Sequence, residues 1–556
     1  MEDKTASETH TDVLIVGAGP AGLALAVELG TQGHHCVVVE RNDRVGYAPR
    51  AKTTNVRTRG LFRRWGIADK LAAQSPFGVD YPSDVVFATR LCGYELKRFS
   101  NAFNCNPQRD DRYPEHAQWI PQYKVEGVLK AHASELPGVT MFFSTQLDDF
   151  RDDGQTVVAT VGDVNTGKPK QIRARYLVGA DGSRSTVRER LGIKMEGTSP
   201  LSHNHNIIFR APGLAQRHGL GRAVMYWLVN AEVPSVLAPL DADDKWTFAC
   251  PKLADAAFDP ADLIHKAIGF DIAIEILSRD EWTAHQLIAQ KYGQGRVFLI
   301  GDACHLHPPF GGYGMNMGIA DAVDLGWKLS AVLSGWGGEN LLASYEMERR
   351  QIHRRVIDES VANHAFTSKG LVVAGLEDEG NSGEAVRSAV TTTITDTKRR
   401  EFYSLGVVLG SSYAYSPLFV REEVAAAVAG DSGDYVPSAR PGCLAPHFWL
   451  EAERSPGASL YDHFATNGFT LLVTKPDPVA SVDPLVQAAA ELGIPLRILV
   501  QPIDTLNELY GCDLALIRPD QYVAWSGNSI SDACGALAVV AGKSLEPVTG
   551  IPYPSA

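Results

Sequence analysis

The stretch Val13-Leu14-Ile15-Val16-Gly17-Ala18-Gly19-Pro20-Ala21-Gly22 decides how this chain folds. Four apolar residues read as a buried strand and G-x-G-x-x-G follows at once. The sequence then runs helically from about Ala21 to Gly30 and enters a second apolar strand, Cys36 to Val39. In that order Gly17 permits the turn, Gly19 lets the backbone approach a pyrophosphate, and Gly22 lets helix and strand pack closely. The helix that opens at Pro20 and Ala21 points its N-terminus at the phosphate charge. Glu40 ends the second strand 23 residues after Gly17, with Arg41 beside it. That spacing suits a carboxylate accepting hydrogen bonds from an adenosine ribose. The reading is an α/β, Rossmann-type dinucleotide site, and these residues alone do not tell FAD from NAD.

The rest of the chain narrows the class. At 556 residues it exceeds one ordinary core, so two or three domains are expected. The formal net charge of -13 disfavours a nucleic-acid partner. No run of 18 apolar residues is present, and Met1 to His10 carries no apolar segment, which predicts a cytoplasmic protein with no membrane partner. Eight cysteines lie scattered without C-x-x-C or a Cys/His cluster. This argues against a metal centre or a disulfide framework and predicts reduced, mostly buried thiols.

Two later segments choose the cofactor. Val178-Gly179-Ala180-Asp181-Gly182-Ser183-Arg184-Ser185-Thr186-Val187-Arg188 is an apolar strand ending in Asp-Gly, with Ser and Arg at helical spacing behind it. Gly301-Asp302-Ala303-Cys304-His305-Leu306-His307-Pro308-Pro309-Phe310-Gly311-Gly312-Tyr313-Gly314-Met315-Asn316 follows the strand Val297 to Ile300 and leads into a helix predicted from about Gly318 to Leu333. With these residues, and Leu341 to Arg350 behind them, the chain resembles the group A flavoprotein aromatic hydroxylases, the family of p-hydroxybenzoate hydroxylase and phenol hydroxylase. The three anchors occur in the family's order over residues 11 to 350.

The resemblance implies FAD as cofactor, NADH or NADPH as a transient electron donor, and O2 as co-substrate, with a phenolic ring hydroxylated, typically ortho to its hydroxyl, through a flavin C4a-hydroperoxide. It implies that Asp302 holds the ribityl chain and that the amides of Gly314, Met315 and Asn316 face the flavin pyrimidine edge. The same resemblance implies that Asp181 and Gly182 serve FAD and pyridine nucleotide with Arg188 as basic partner, that Gln122 contacts the flavin, and that Arg50 and Arg57 form a basic FAD-contacting segment. No second strand followed by G-x-G-x-x-G gives the nicotinamide a domain of its own, which suits that family. Where related enzymes carry Asp or His two residues after the Pro-Arg-Ala arginine, this chain has Lys52. A lysine there stabilises a phenolate, binds a substrate carboxylate, acts as a base if desolvated, or simply lies in water. Lys52 and Pro308 are the candidate catalytic positions. Tyr226, Trp227 and Trp246 are candidate pocket residues, although aromatics in strands are more often core. His305 and His307 find their place in the flavin motif rather than as a metal pair.

The expected architecture is a Rossmann-type, glutathione-reductase-like FAD domain (1–84, 119–196 and 287–365), an inserted antiparallel substrate domain (85–118 and 197–286), a helical connection and linker (366–440), and a thioredoxin-like domain without C-x-x-C (441–556). The polar stretch Pro82 to Trp119 reads as a loop excursion over a domain surface. By resemblance the assembly is a homodimer. A polyketide-tailoring or Baeyer-Villiger type oxygenase shares every FAD motif named here, and a non-catalytic flavoprotein module is the remote alternative.

Overall fold

The computed structural model describes residues 9–43, 51–78, 81–252, 258–413, 415–420, 433–452, 455–476 and 479–544; Arg50 lies outside the described residues. Its first sheet has a parallel core of five strands in the order Val297–Leu299, Pro169–Gly179, Thr9–Val16, Cys36–Val39, Val139–Phe142. Val13 to Val16 and Cys36 to Val39 are buried throughout. Continuous apolar runs of this kind belong to strands covered on both faces. One face is covered by Pro20–Thr31 and Gly314–Leu333, which meet at small residues. A methyl added at Gly318 would lie 3.2 Å from Ala21 Cβ. The second of these helices begins at Gly314, four residues before the sequence suggests, because Gly311 and Gly312 complete the turn with φ of 84° and 67°.

The second sheet has eight strands, from His305–Leu306 at one edge to Glu95–Phe99 at the other. It is antiparallel except where Met225–Leu228 pairs with Val85–Ala88. Here the sequence reading needs correction, because the polar stretch 82–119 is not a surface loop: Val85 to Ala88 are wholly buried and Glu95–Phe99 forms the sheet edge. Its turns supplied the polar composition, and the four apolar residues between them are too few to dominate it.

A third sheet, in the order Leu496–Val500, Phe469–Val473, Leu514–Ile517, Val523–Gly527, pairs its first two strands in parallel and the rest antiparallel. It shares a hydrophobic core with the end of the Gly314–Leu333 helix, where Trp327 and Trp336 pack against Phe469. Four cysteines are buried (Cys36, Cys250, Cys304, Cys512), two are half-buried (Cys105, Cys443), and Cys92 and Cys534 are exposed. No helix among the described residues is long and apolar enough to cross a membrane.

Candidate active site

The glycine loop is held by contacts that only glycine allows. Gly17 has φ 108°, and a methyl there would stand 2.4 Å from the Ala180 carbonyl oxygen; a methyl at Gly22 would stand 2.0 Å from that of Gly17. Gly19 differs, since a methyl there meets nothing within 4 Å among the described residues. The loop is therefore closed toward the protein and open at Gly19, the side a pyrophosphate needs. The Glu40 carboxylate accepts from the Ala18 amide (2.9 Å) and from the backbone and side chain of Asn42 (2.9 and 2.5 Å). Arg41 lies exposed beyond it.

Asp181 folds its own turn, accepting from Ser185 Oγ at 2.5 Å and the Val187 amide at 3.1 Å. Burial raises its carboxyl above the ordinary range, against the pull of those hydrogen bonds. Gly182 follows with φ 79° and an open side. Arg188 is buried, so it is not a solvated helix charge, and its guanidinium donates to the carbonyls of Ala303 (2.9 Å) and Ser183 (3.0 Å). It thus ties the Asp181-Gly182 turn to the Gly301-Asp302 turn. Asp302 itself is exposed.

Asn316 joins two distant segments. Its amide donates to the carbonyls of Thr53 (2.9 Å) and Gly312 (2.7 Å), and its oxygen accepts from the Asn55 amide (3.0 Å). The first three amides of the helix, those of Gly314, Met315 and Asn316, have no intrahelical acceptor and carry the positive end of its dipole. Gln122 fixes the other side of the 51–54 segment. Its Oε1 accepts from the Ala51 amide at 3.2 Å, its backbone N–H donates to Ala51 O at 2.9 Å, and Ile120 N donates to Lys52 O at 2.7 Å. Lys52 is half-buried, and desolvation lowers its ammonium pKa to about 8. Pro308 is buried, and its carbonyl accepts from His307 Nδ1 at 2.9 Å.

Three sequence expectations land elsewhere. Arg57 donates to Gln521 Oε1 and, at 2.6 Å, to the Asp520 carbonyl, so its charge is spent on the C-terminal unit. Tyr226 and Trp246 face the core between the second sheet and the helix Pro260–Ile268, and Tyr226 Oη donates to Gly221 O at 2.6 Å. Strand alternation puts Trp227 on the opposite face, stacked on Phe87 (5.3 Å) and 5.9 Å from Phe310 of the flavin-motif loop.

Other buried polar groups escape a sequence reading. Asp321, wholly buried, accepts from the Gly301 amide (3.0 Å), Arg349 Nε (2.7 Å) and His305 Nε2 (2.8 Å), while His353 Nε2 lies 2.9 Å away. Its carboxyl is held well below the ordinary range; His353, Arg349 and His305 overcome the opposing effect of burial. Among the described residues Cys304, His305 and Asp321 converge within 4.8 Å, but the Asp321 oxygens are occupied by these donors and burial holds the Cys304 thiol protonated. The cluster braces the Gly301-Asp302 turn from beneath. Its only sequence signal was Arg349 and His353 at helical spacing in a charged stretch that looks solvent-exposed.

These residues fit FAD: an open glycine loop for the pyrophosphate, a carboxylate at the second strand, and a helix start for the electron-rich flavin edge. Residues 10–360 match the model of the FAD binding domain family, and residues 438–544 that of the aromatic-ring hydroxylase C-terminal family. The chain is 32% identical to the tetracenomycin B2 monooxygenase-dioxygenase of Streptomyces olivaceus, covering 94% of this chain and 96% of that protein. It is 31% identical to the 2,4-dichlorophenol 6-monooxygenase of Delftia acidovorans, again over 94% and 96%. The rebeccamycin biosynthetic enzyme RebC with reduced flavin superposes with a TM-score of 0.88 at 34% identity, covering 97% of this chain and all of that one.

Proposed function

The chain belongs to the FAD-dependent aromatic-ring hydroxylases, and from that premise we propose that it hydroxylates a phenol-like, electron-rich ring next to an existing hydroxyl, drawing electrons from NADH or NADPH. The observation that carries the reading is the junction built by Asn316, where the start of the Gly314–Leu333 helix meets the segment bearing Lys52. FAD, when bound and reduced by NAD(P)H, would activate O2, one atom of which enters the ring while the other leaves as water. Gly17 to Gly22 and Glu40 hold its adenosine and pyrophosphate, Asp302 its ribityl chain, and Gly314, Met315 and Asn316 the pyrimidine edge, where helix-start amides stabilise negative charge. Asp181, Gly182 and Arg188 shape the turn beside them, while Pro308 and Lys52 border the ring to be hydroxylated. The first sheet belongs to a glutathione-reductase-like FAD domain and most of the second to the substrate domain, while its edge strand His305–Leu306 comes from the FAD domain as the sequence bounds it. The C-terminal unit is thioredoxin-like, the assembly a homodimer and the location cytoplasmic.

Lys52 acts as a cation. A phenol loses its proton more readily beside a desolvated ammonium, and the phenolate ring is the better nucleophile toward an electrophilic oxygen. With the pKa lowered to about 8 the charge is present at neutral pH and is lost as pH rises through that value. Substrate-stimulated NAD(P)H oxidation, followed with product analysis across phenols, hydroxypyridines and phenolic acids, tests the function. The expected kcat/KM falls above about pH 8, and Lys52→Met lowers it at least ~10-fold at neutral pH, flattens that limb and leaves FAD content intact. A profile that rises through pH 8 would make Lys52 a base instead. A second reading, tailoring of a polycyclic polyketide, is supported by 32% identity to a putative polyketide hydroxylase of Streptomyces halstedii.

A further inference from the structure

We propose that the last turn of the Asn340–His364 helix, together with Lys398, forms a subsite that recognises a paired acceptor and donor on the edge of the aromatic substrate. Such an edge is a ring carbonyl or carboxamide beside a hydroxyl or N–H. The inference rests on the hydroxylase reading above and gives it a substrate class.

Asn363 is 1% exposed, and neither its Oδ1 nor its Nδ2 has a partner among the described residues. A buried carboxamide left in that state costs about 1–3 kcal/mol per unpaired group, a cost that a ligand completing it would offset. Its own carbonyl accepts from Lys398 Nζ at 3.1 Å, and Glu401 Oε2 accepts from the same nitrogen at 2.6 Å. An ammonium has three donors, and these contacts use two. Lys398, wholly buried, stands 4.3 Å from the centre of the Trp227 ring and 5.4 Å from that of Phe310. Both rings border the flavin-motif side of the second sheet. His364 lies 5.3 Å from Phe310 and its Nε2 is 3.2 Å from Ser202 Oγ. One turn earlier Ser360 Oγ is 3.4 Å from His307 Nδ1, and His307 Nε2 is buried without a partner among the described residues. A Gly314 methyl would stand 3.7 Å from that ring, so this polar face runs up to the helix start proposed for the flavin.

The chemistry of the lining selects the ligand. Trp227 and Phe310 offer aromatic faces, Asn363 offers an NH2 donor group beside a carbonyl acceptor, and the spare Lys398 proton reinforces an acceptor oxygen. Because Glu401 balances Lys398, the subsite is close to neutral and favours a carbonyl over a full negative charge. A simple alkyl phenol would leave Asn363 unpaired.

The test compares salicylamide with o-cresol, phenols that differ in the polarity of one ortho substituent, using the FAD-loaded full chain and reading Kd from the change in flavin absorbance. Wild type is expected to bind salicylamide at least ~10-fold more tightly. Asn363→Leu should bring that preference to within about 2-fold without lowering the thermal midpoint of the substrate-free protein, since it removes an unpaired buried group. A purely structural Asn363 would instead lower the midpoint and weaken both phenols alike. The double variant Lys398→Met, Glu401→Gln provides an independent arm and should also erase most of the preference. No preference in wild type, or a preference kept by both variants, overturns the subsite. If o-cresol drives NAD(P)H oxidation while salicylamide gains nothing, the subsite alone fails. If neither phenol perturbs the flavin or drives oxidation, the hydroxylase reading fails with it.

Discussion

Gly19→Val is expected to leave the FAD-free protein as stable as wild type, to within about 1 kcal/mol, while weakening FAD at least ~100-fold. The backbone at Gly19 has φ -73° and ψ -180°, which any residue adopts, and a side chain there enters open space rather than protein. Its Cβ has no described residue within 4 Å, so the expected clash is with the ligand. Gly17→Ala should behave in the opposite order. With φ 108° and the Ala180 carbonyl 2.4 Å away, the new methyl is strained and overlaps backbone, a combined cost of about 3 kcal/mol or more before any ligand is added. Thermal midpoints of the two variants stripped of FAD, set against FAD titrations followed by flavin fluorescence, separate the cases. Equal loss of stability in both would mean that the open side of Gly19 is not the phosphate side. FAD should also raise the wild-type midpoint with the logarithm of its concentration above Kd, and fail to do so over the same range for Gly19→Val.

That contrast shows why some of the site was legible in the sequence and some was not. The glycine loop, Glu40, Asp181 and the start of the Gly314–Leu333 helix are local features: backbone geometry dictates the residue type, so spacing along the chain reveals them. Lys52 was legible as a position, whereas its lowered pKa depends on desolvation by segments far away in sequence. Trp227 could not be told from Tyr226 or Trp246, because all three are buried strand aromatics and only the packed sheet shows which face meets Phe310. Arg57 matched a family pattern by its neighbours, yet its guanidinium reaches Asp520 and Gln521, contacts separated by more than 400 residues. The buried polar groups at Asp321, Asn363 and Lys398 were hidden for another reason. Charged and amide residues in a helix normally mark its solvated side, and here they are enclosed by the second sheet and the C-terminal unit.

Arg518→Met should be the most damaging single change outside the cofactor loop, costing about 3–5 kcal/mol of stability. Arg518 is wholly buried between the C-terminal unit and the helices Gly314–Leu333 and Asn340–His364. Its guanidinium holds Glu348 through both oxygens (2.9 and 2.9 Å), Asp324 at 3.1 Å and Asp520 at 2.5 Å, while Lys328 holds Asp324 (2.9 Å) and Glu348 (2.7 Å) from the other side. Three carboxylates thus share two cations, and removing one cation leaves the excess negative charge without water to solvate it. Methionine keeps the contact with Trp327 and Phe419, so the deficit reports charge more than volume. Two controls follow. Adding Glu348→Gln to Arg518→Met should restore part of the loss, since it removes a carboxylate that no longer has its partner. The deficit should also shrink as pH is lowered. Burial already raises the Asp324 carboxyl to about 7, with Glu348 and Asp520 adding to the effect against Lys328 and Arg518. A carboxyl raised in the folded state destabilises it when ionised, so the cost is present above that pKa and is relieved as pH falls through it. Without Arg518 the proton is taken up more readily still. Because Asp324 and Lys328 lie on the helix that begins at Gly314, FAD affinity should fall together with stability, and denaturant titrations and FAD binding measured from pH 6 to 9 would show the two losses moving in step. A midpoint equal to wild type would mean that the Trp327, Trp336 and Phe469 core alone secures the C-terminal unit to that helix.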